Sequence, residues 1–324
     1  MPSLTRSNQK PGLIPGFFLL LILCACEQPE DTTGSTASAG QPAKLTIPGN
    51  LEDTDIAEAS GIVFSHRVPD LLWAHNDSGA KARLYAFDSR GKSRGRLKLK
   101  RADNKDWEDI TAFSMGERAY LLVADIGDND ARRKHVTLYI VEEPDLEKDD
   151  RQEQRPEWQI DFRYPNGPHD AEAAAIDIDN ERVLILTKRD LPPLLFEVPL
   201  TREQDDTVEA RLLSSVTTLP QPSRRDAEFA PKTGDWHWQP TSMDIARDGS
   251  ALVILTYSAV YYYSRLDDED WTSALQRSPL AFDISNIRNA EAIAFSPDGR
   301  SIFVTVEKKR APLIRIDLLG AMQQ

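Results

Sequence analysis

The chain has 324 residues, with 52 acidic against 39 basic side chains and a net charge of −13, which argues against nucleic acid as a partner and against electrostatic attachment to anionic lipid. Its two cysteines, Cys24 and Cys26, both sit near the N-terminus, so a disulfide framework cannot hold the chain together. Stability has to come from a packed core.

Residues 13–23 are apolar, Arg6 and Lys10 precede them, and Leu23-Cys24-Ala25-Cys26 follows. The apolar run is too short to span a bilayer as a mature helix and has the layout of an export signal over residues 1–25. It resembles a bacterial lipoprotein signal, which implies that Cys26 becomes the lipidated N-terminus; an ordinary signal with an incidental cysteine is the alternative. Residues 26–43 are rich in Thr, Ser, Gly, Pro and Gln and carry no large apolar side chain. They read as a flexible tether in front of one domain, 44–324. Membrane contact is then through the anchor alone, with the domain outside the cytoplasm.

From Lys44-Leu45-Thr46-Ile47 onward the chain reads as short strands. A weak pattern of an acidic residue followed by small residues and Ile recurs five times, as Glu58-Ala59-Ser60-Gly61-Ile62, Glu108-Asp109-Ile110, Glu172-Ala173-Ala174-Ala175-Ile176, Thr241-Ser242-Met243-Asp244-Ile245 and Glu291-Ala292-Ile293. An apolar strand follows each copy and ends in a polar cluster: His75-Asn76-Asp77, Asp125-Ile126-Gly127-Asp128-Asn129, Lys188-Arg189-Asp190, Tyr257 and Glu307-Lys308. A third strand carries aromatic or β-branched residues, such as Leu84-Tyr85-Ala86-Phe87 and Val260-Tyr261-Tyr262-Tyr263, and turns such as Ser296-Pro297-Asp298-Gly299 punctuate the runs. Fourth strands are legible at 94–99, 158–163, 211–217 and 280–284. The fifth copy runs out of chain, and residues 44–47 are the spare strand that would complete it.

Repeated four-stranded meanders predict an all-β protein, a β-propeller of five blades closed by the N-terminal strand, unless a sixth blade hides in the longer intervals. Residues 220–239, with Trp236 and Trp238, read as a surface loop.

In a propeller the start of each first strand and the end of each second strand emerge on one face. Glu58, Glu108, Glu172 and Glu291 are therefore expected in a common pocket at the channel mouth. His75, Asp77, Asp125, Lys188, Tyr257 and Glu307 ring it as further ligand-binding candidates. Clustered carboxylates raise one another's pKa or require a cation. The metal-ligand candidates are Glu58, Asp106, Glu108, Asp125, Asp128, Glu172 and Glu291, and an all-oxygen set points to Ca²⁺. The structural alternative is that these acids accept hydrogen bonds from neighbouring blades, or pair with Lys188, Arg189 or Lys308. Within 125–129, Asp and Asn capping their own turn are an equal alternative to a calcium loop.

Glu58-Ala59-Ser60-Gly61-Ile62, His75-Asn76-Asp77-Ser78-Gly79, Asp106-Trp107-Glu108-Asp109-Ile110 and Asp125-Ile126-Gly127-Asp128-Asn129 occur in order over the first third of the domain. Together they resemble the signature of secreted bacterial propeller proteins. More distantly, the acid-small-Ile motif is similar to the SdiA-regulated and esterase-like phytase propeller families. The resemblance implies a propeller with a calcium site.

No Gly-x-Ser-x-Gly elbow, His-Glu-x-x-His, P-loop or dinucleotide fingerprint is present. Two functions stay open: a module binding a small anion, glycan or protein through the mouth or through exposed Trp236, Trp238 and Trp271, and a metal-dependent hydrolase of phosphoesters or other esters. Lys188, Arg189, Lys308 and Lys309 would hold the phosphate in the latter. Replacing Cys26 with Ser is expected to move the protein from the membrane to the soluble fraction, because lipid is the sole hold on the bilayer; a Cys26→Ser protein that still pellets with membranes refutes the anchor.

Overall fold

The computed structural model describes residues 44–318, except 148, 203–206 and 223–237. The expected signal, tether and Cys26 lie outside the described residues, as do most of the 220–239 loop and Trp236. Five small sheets form a five-bladed β-propeller. Blade 1 contains β2 (Ala59–Phe64), β3 (Leu71–Asn76), β4 (Arg83–Asp88) and β5 (Ser93–Leu99). Blade 2 contains β6 (Trp107–Met115), β7 (Arg118–Asp125), β8 (Val136–Glu142) and, skipping β9 (Arg151–Gln154), β10 (Trp158–Arg163).

Blade 3 is β11 (Ala171–Asp177), β12 (Arg182–Thr187), β13 (Leu194–Pro199) and, beyond β14 (Val208–Glu209), β15 (Arg211–Ser215). Blade 4 is β16 (Pro240–Ile245), β17 (Ala251–Thr256), β18 (Ala259–Ser264) and β19 (Leu280–Asp283), with a one-turn helix α1 (Trp271–Ala274) before its last strand. Blade 5 is β20 (Ala290–Phe295), β21 (Ser301–Val306) and β22 (Pro312–Asp317), completed on the outside by β1 (Leu45–Asn50). The first strands β2, β6, β11, β16 and β20 neighbour one another in a closed ring.

The reason for the ring is visible in where the apolar residues go. Each of the five buried clusters is made by two adjacent blades: Trp73, Leu84 and Leu97 of blade 1 meet Trp107, Ile110 and Leu121 of blade 2, for example. On the other side of the same sheet Leu72, Ala74 and Phe87 meet Ala292, Phe303 and Leu313 of blade 5. Middle strands are thus buried on both faces, so they read as unbroken apolar runs rather than alternating ones. A single blade has no core of its own.

Closure between the chain's two ends therefore carries unusual weight. β1 pairs antiparallel with β22, with Leu45 opposite Ile316 and Asn50 opposite Pro312. The chain then crosses to blade 1: Leu51 N–H donates to the Ala311 carbonyl and Glu52 N–H to the Gly91 carbonyl, both at 2.8 Å. A Cβ at Gly49 would run into the Arg90 carbonyl, so the seam is backbone against backbone.

Two strands go beyond the expected meander. β9, which belongs in sequence to blade 2, adds in parallel to β5 of blade 1, and β14 adds in parallel to β10 of blade 2 from within blade 3. Each covers an outer edge that would otherwise present unpaired backbone. The expected exposed tryptophans are a correction: Trp238 is buried and Trp271 has no exposed surface, since α1 packs its indole into the blade 3 and 4 cluster beneath the Arg265 guanidinium. Deleting residues 44–49 is expected to lower the melting temperature by about 5 °C or more, as blade 5 loses its outer strand and the hydrogen-bonded seam it makes with the chain leading into blade 1; an unchanged melting curve would contradict this.

Candidate functional site

All five first strands carry the same irregularity near their start. Register breaks fall between Ala59 and Gly61, Trp107 and Asp109, Ala171 and Ala173, Pro240 and Ser242, and Ala290 and Ala292. One residue per blade is left unpaired: Ser60, Glu108, Glu172, Thr241 and Glu291. A bulge turns its extra residue out of the ladder. The five bulges thus set five polar side chains around one mouth of the channel.

The hydroxyl members tie blades together, Ser60 donating to the Glu108 carbonyl (2.9 Å) and Thr241 to the Ala290 carbonyl (3.0 Å). The three glutamates are all buried and interact electrostatically. This places Ser60, not Glu58, in the ring. Glu58 lies two residues earlier, on the exposed rim near Asp77, because the bulge of β2 falls at Ser60.

Beside the ring, where blades 1 and 2 meet, Asp77, Asp106 and Glu108 each offer a carboxylate oxygen within 4.8 Å of the others. Asp77 comes from the end of β3; Asp106 and Glu108 flank Trp107 at the start of β6. Gly127 makes the convergence possible, since a Cβ there would collide with both Glu108 Oε1 and Asp106 Oδ2. Asp77 Oδ1 and Asp125 Oδ2 are buried without a hydrogen-bond partner among the described residues. The other oxygen of Asp125, itself fully buried, accepts from the Asp106 N–H (3.2 Å) and the Arg133 guanidinium (2.7 Å).

The opposite side of the mouth is neutralised from within. Lys188 Nζ donates to Glu172 Oε1 (2.5 Å) and to the Tyr257 hydroxyl (3.0 Å), and lies 5.3 Å from the Tyr257 ring centroid. Tyr257 bonds in turn to Glu291, whose carboxylate also faces Glu307. Arg189 pairs with Asp170 at 2.6 Å and reaches Asn129.

Burial dominates the electrostatics and the like charges add to it. The Glu108 carboxyl is pushed well above the usual range by burial and then by Glu172, Asp77 and Asp106. Burial raises Glu291 in the same way, with Glu172 adding to it. Glu172 is pushed up to about 8 by burial, which outweighs the Lys188 ammonium beside it. Asp106 rises to about 6 through burial and its neighbours Asp77 and Asp170. Burial also raises Asp77 and Asp125, Arg133 opposing it in the latter.

Other expected site residues have settled structural partners. Asp128 accepts the N–H groups of Arg132 (2.9 Å) and Arg133 (2.7 Å), the turn-capping role. His75 is wholly buried, edge-on to Trp107, with Nδ1 at 3.0 Å from the Asn76 carbonyl and Nε2 without a partner. His169 lies between Asp190 and Asn166.

Sequence reasoning missed Asp109. Its Oδ2 accepts from the N–H groups of Ala174 (2.9 Å) and Met243 (3.1 Å) and its Oδ1 from the Ser242 hydroxyl (3.0 Å) and its neighbour Ile110 N–H (2.9 Å), so one carboxylate bridges three blades. Asp244 does the same for Phe295 N–H (2.8 Å) in the next blade, and burial pushes its carboxyl up to about 7. At the far end of the channel Arg247 reaches from blade 4 to the Ser65 carbonyl of blade 1.

No protein-family model matches the chain, and a search of curated proteins finds no significant match.

A carboxyl with a raised folded-state pKa binds its proton more tightly in the folded state. The stability this confers is full below the unfolded value and declines as pH rises through the folded value. For Glu172, with its ordinary value of 4.5 raised to about 8, and Asp244, from 3.8 to about 7, the window runs from roughly pH 4 to 8. In chelator, the melting temperature is expected to fall across that window, and Glu172→Gln to flatten its upper half. A melting temperature that rises with pH there would contradict the assignment.

Proposed function

We propose that this chain is a lipid-anchored β-propeller displayed outside the cytoplasm, acting as a binding module whose acidic mouth holds a divalent cation. Ca²⁺ is the ion of choice. The observation that carries the cation is the meeting of Asp77, Asp106 and Glu108 within 4.8 Å, alongside buried carboxylate oxygens of Asp77 and Asp125 that have no partner. Burying such oxygens unpaired is costly unless a proton or a cation compensates them. Every available donor is a hard oxygen, which suits Ca²⁺ rather than a thiophilic or imidazole-preferring metal. Asp77, Asp106 and Glu108 would hold the ion, which would supply positive charge and open coordination positions at the rim.

The glutamates further round the ring are better read as a frame for this site than as ligands. Glu172 has Lys188 and Glu291 has Tyr257, so both already have compensation. Binding as the role is supported by the half-buried position of Asp77 and Asp106 at the rim of a scaffold whose blades are tied together by hydrogen bonds.

Ca²⁺ at about a hundredfold excess over its dissociation constant stabilises the folded state by ~2.7 kcal/mol. The full-length protein is therefore expected to melt roughly 5–10 °C higher in Ca²⁺ than in chelator. Asp106→Asn combined with Glu108→Gln should abolish the shift while leaving the chelator-treated protein no less stable, since like-charge repulsion is removed. A wild type whose melting temperature is the same in Ca²⁺ and chelator overturns the cation.

A further inference from the structure

Next to the three-carboxylate corner a cavity of about 590 Å³ opens on the surface of blade 2, with Asp106 in its wall. That volume is in the range of small-molecule sites. In a chain of net charge −13 its lining is unusual: Lys105, Arg133 and Lys134 stand against Asp106, Asp128 and Asp130. The three positive and three negative groups cancel, so the cavity by itself holds no net attraction for an ion of either sign.

The members of that set are not equivalent. Arg133 is committed to Asp125 Oδ1 and to the Gly127 carbonyl, each at 2.7 Å. Asp128 is committed to the backbone of 132 and 133, and Asp130 faces Arg132. Lys105 and Lys134 are exposed and form no ion pair among the described residues. Asp106 is the carboxylate shared with the corner.

Asp77 and Glu108 at the corner take the combined balance of corner and cavity to minus two, and a divalent cation held there brings it back to zero. The cation also brings unmet coordination, since Ca²⁺ takes six to eight oxygens and the corner offers three carboxylates. We propose that the ligand of this module is a small molecule carrying a carboxylate or phosphate group, which completes the coordination of the corner cation and is held from the other side by Lys105 and Lys134. The inference rests on the cation reading above. Binding of the oxyanion then depends on the cation, because without it Asp106 and its acidic neighbours repel the ligand as strongly as the lysines attract it.

The test is calorimetry on the full-length protein with three titrants: Ca²⁺ alone, malonate as a carboxylate probe and methylphosphonate as a phosphate probe, the last two in Ca²⁺ and in chelator. At least one oxyanion is expected to bind about tenfold or more tightly in Ca²⁺ than in chelator, and the stronger of the two identifies the group recognised. Lys105→Gln combined with Lys134→Gln, both at exposed positions, should keep Ca²⁺ binding within about twofold and weaken the oxyanion by about tenfold. Ca²⁺ binding together with oxyanion affinity that is absent, indifferent to chelator, or intact in the double variant overturns the proposal and leaves the cation standing. Failure of Ca²⁺ itself to bind removes the cation reading, and this inference with it.

Discussion

The innermost strand of a blade is an edge strand that faces not solvent but a narrow channel, and its outward-pointing N–H groups have no partner within the sheet. Buried backbone donors without acceptors are costly, so this row has to be satisfied from elsewhere. Asp109 does it for blades 3 and 4, accepting from Ala174 and Met243, and Asp244 does it for blade 5 through Phe295. Ser242 stands between them, giving its proton to Asp109 and taking the Ile293 N–H at 3.3 Å. A chain of side chains thus runs from blade 2 to blade 5 across the axis. Because every apolar cluster is likewise shared by two blades, fixing the inner strands fixes the sheets behind them.

The mouth is polar for a separate reason: the bulge at the start of each first strand turns one more side chain out of the ladder and into it. Ser60 and Thr241 fill these places with hydroxyls that donate to the next carbonyl, which costs no charge. Glu108, Glu172 and Glu291 fill them with buried carboxyls, and two of the three have internal compensation, from the Lys188 ammonium and the Tyr257 hydroxyl. Among the described residues Glu108 has only a long contact with Ser60, at 3.4 Å, and faces Asp77 and Asp106 instead. The imbalance of charge is therefore local to the junction of blades 1 and 2, and a cation has most to offer there.

Much of the fold was legible because repetition amplifies weak signals. Five copies of a short apolar strand, each buried on both faces, survive errors at any one of them, and the missing fourth strand of the last copy pointed directly to residues 44–47. The parallel additions β9 and β14 were not legible: a four-residue strand such as Arg151–Gln154 is polar and has no periodicity of its own, and only the open edge of a neighbouring blade makes it a strand. Trp271 illustrates the same limit. An isolated tryptophan after Asp267-Asp268-Glu269-Asp270 reads as exposed, whereas the one-turn helix rotates its ring into the cluster between blades.

The residues of the mouth were legible as a set and not as an arrangement. That acids recur at the starts of first strands and the ends of second strands follows from the sequence alone, as does their convergence on one face once the repeat is a propeller. Counting back two positions from Ile62, Ile110 or Ile293 gives Ser60, Glu108 and Glu291, but the same count from Ile176 gives Ala174 rather than Glu172, so spacing to the isoleucine does not by itself identify the ring. Which acids meet is a matter of tertiary structure, because a bulge shifts register by one residue and a side chain moves from ladder to channel with it. The sequence by itself determined the four-stranded repeat, the closure and the acidity of one face, since these depend on pattern and composition. The tertiary structure decided that Asp109 is a bridge, that Glu172 is paired with Lys188, and that Asp77, Asp106 and Glu108 share one corner, since each depends on distances between segments that are far apart along the chain.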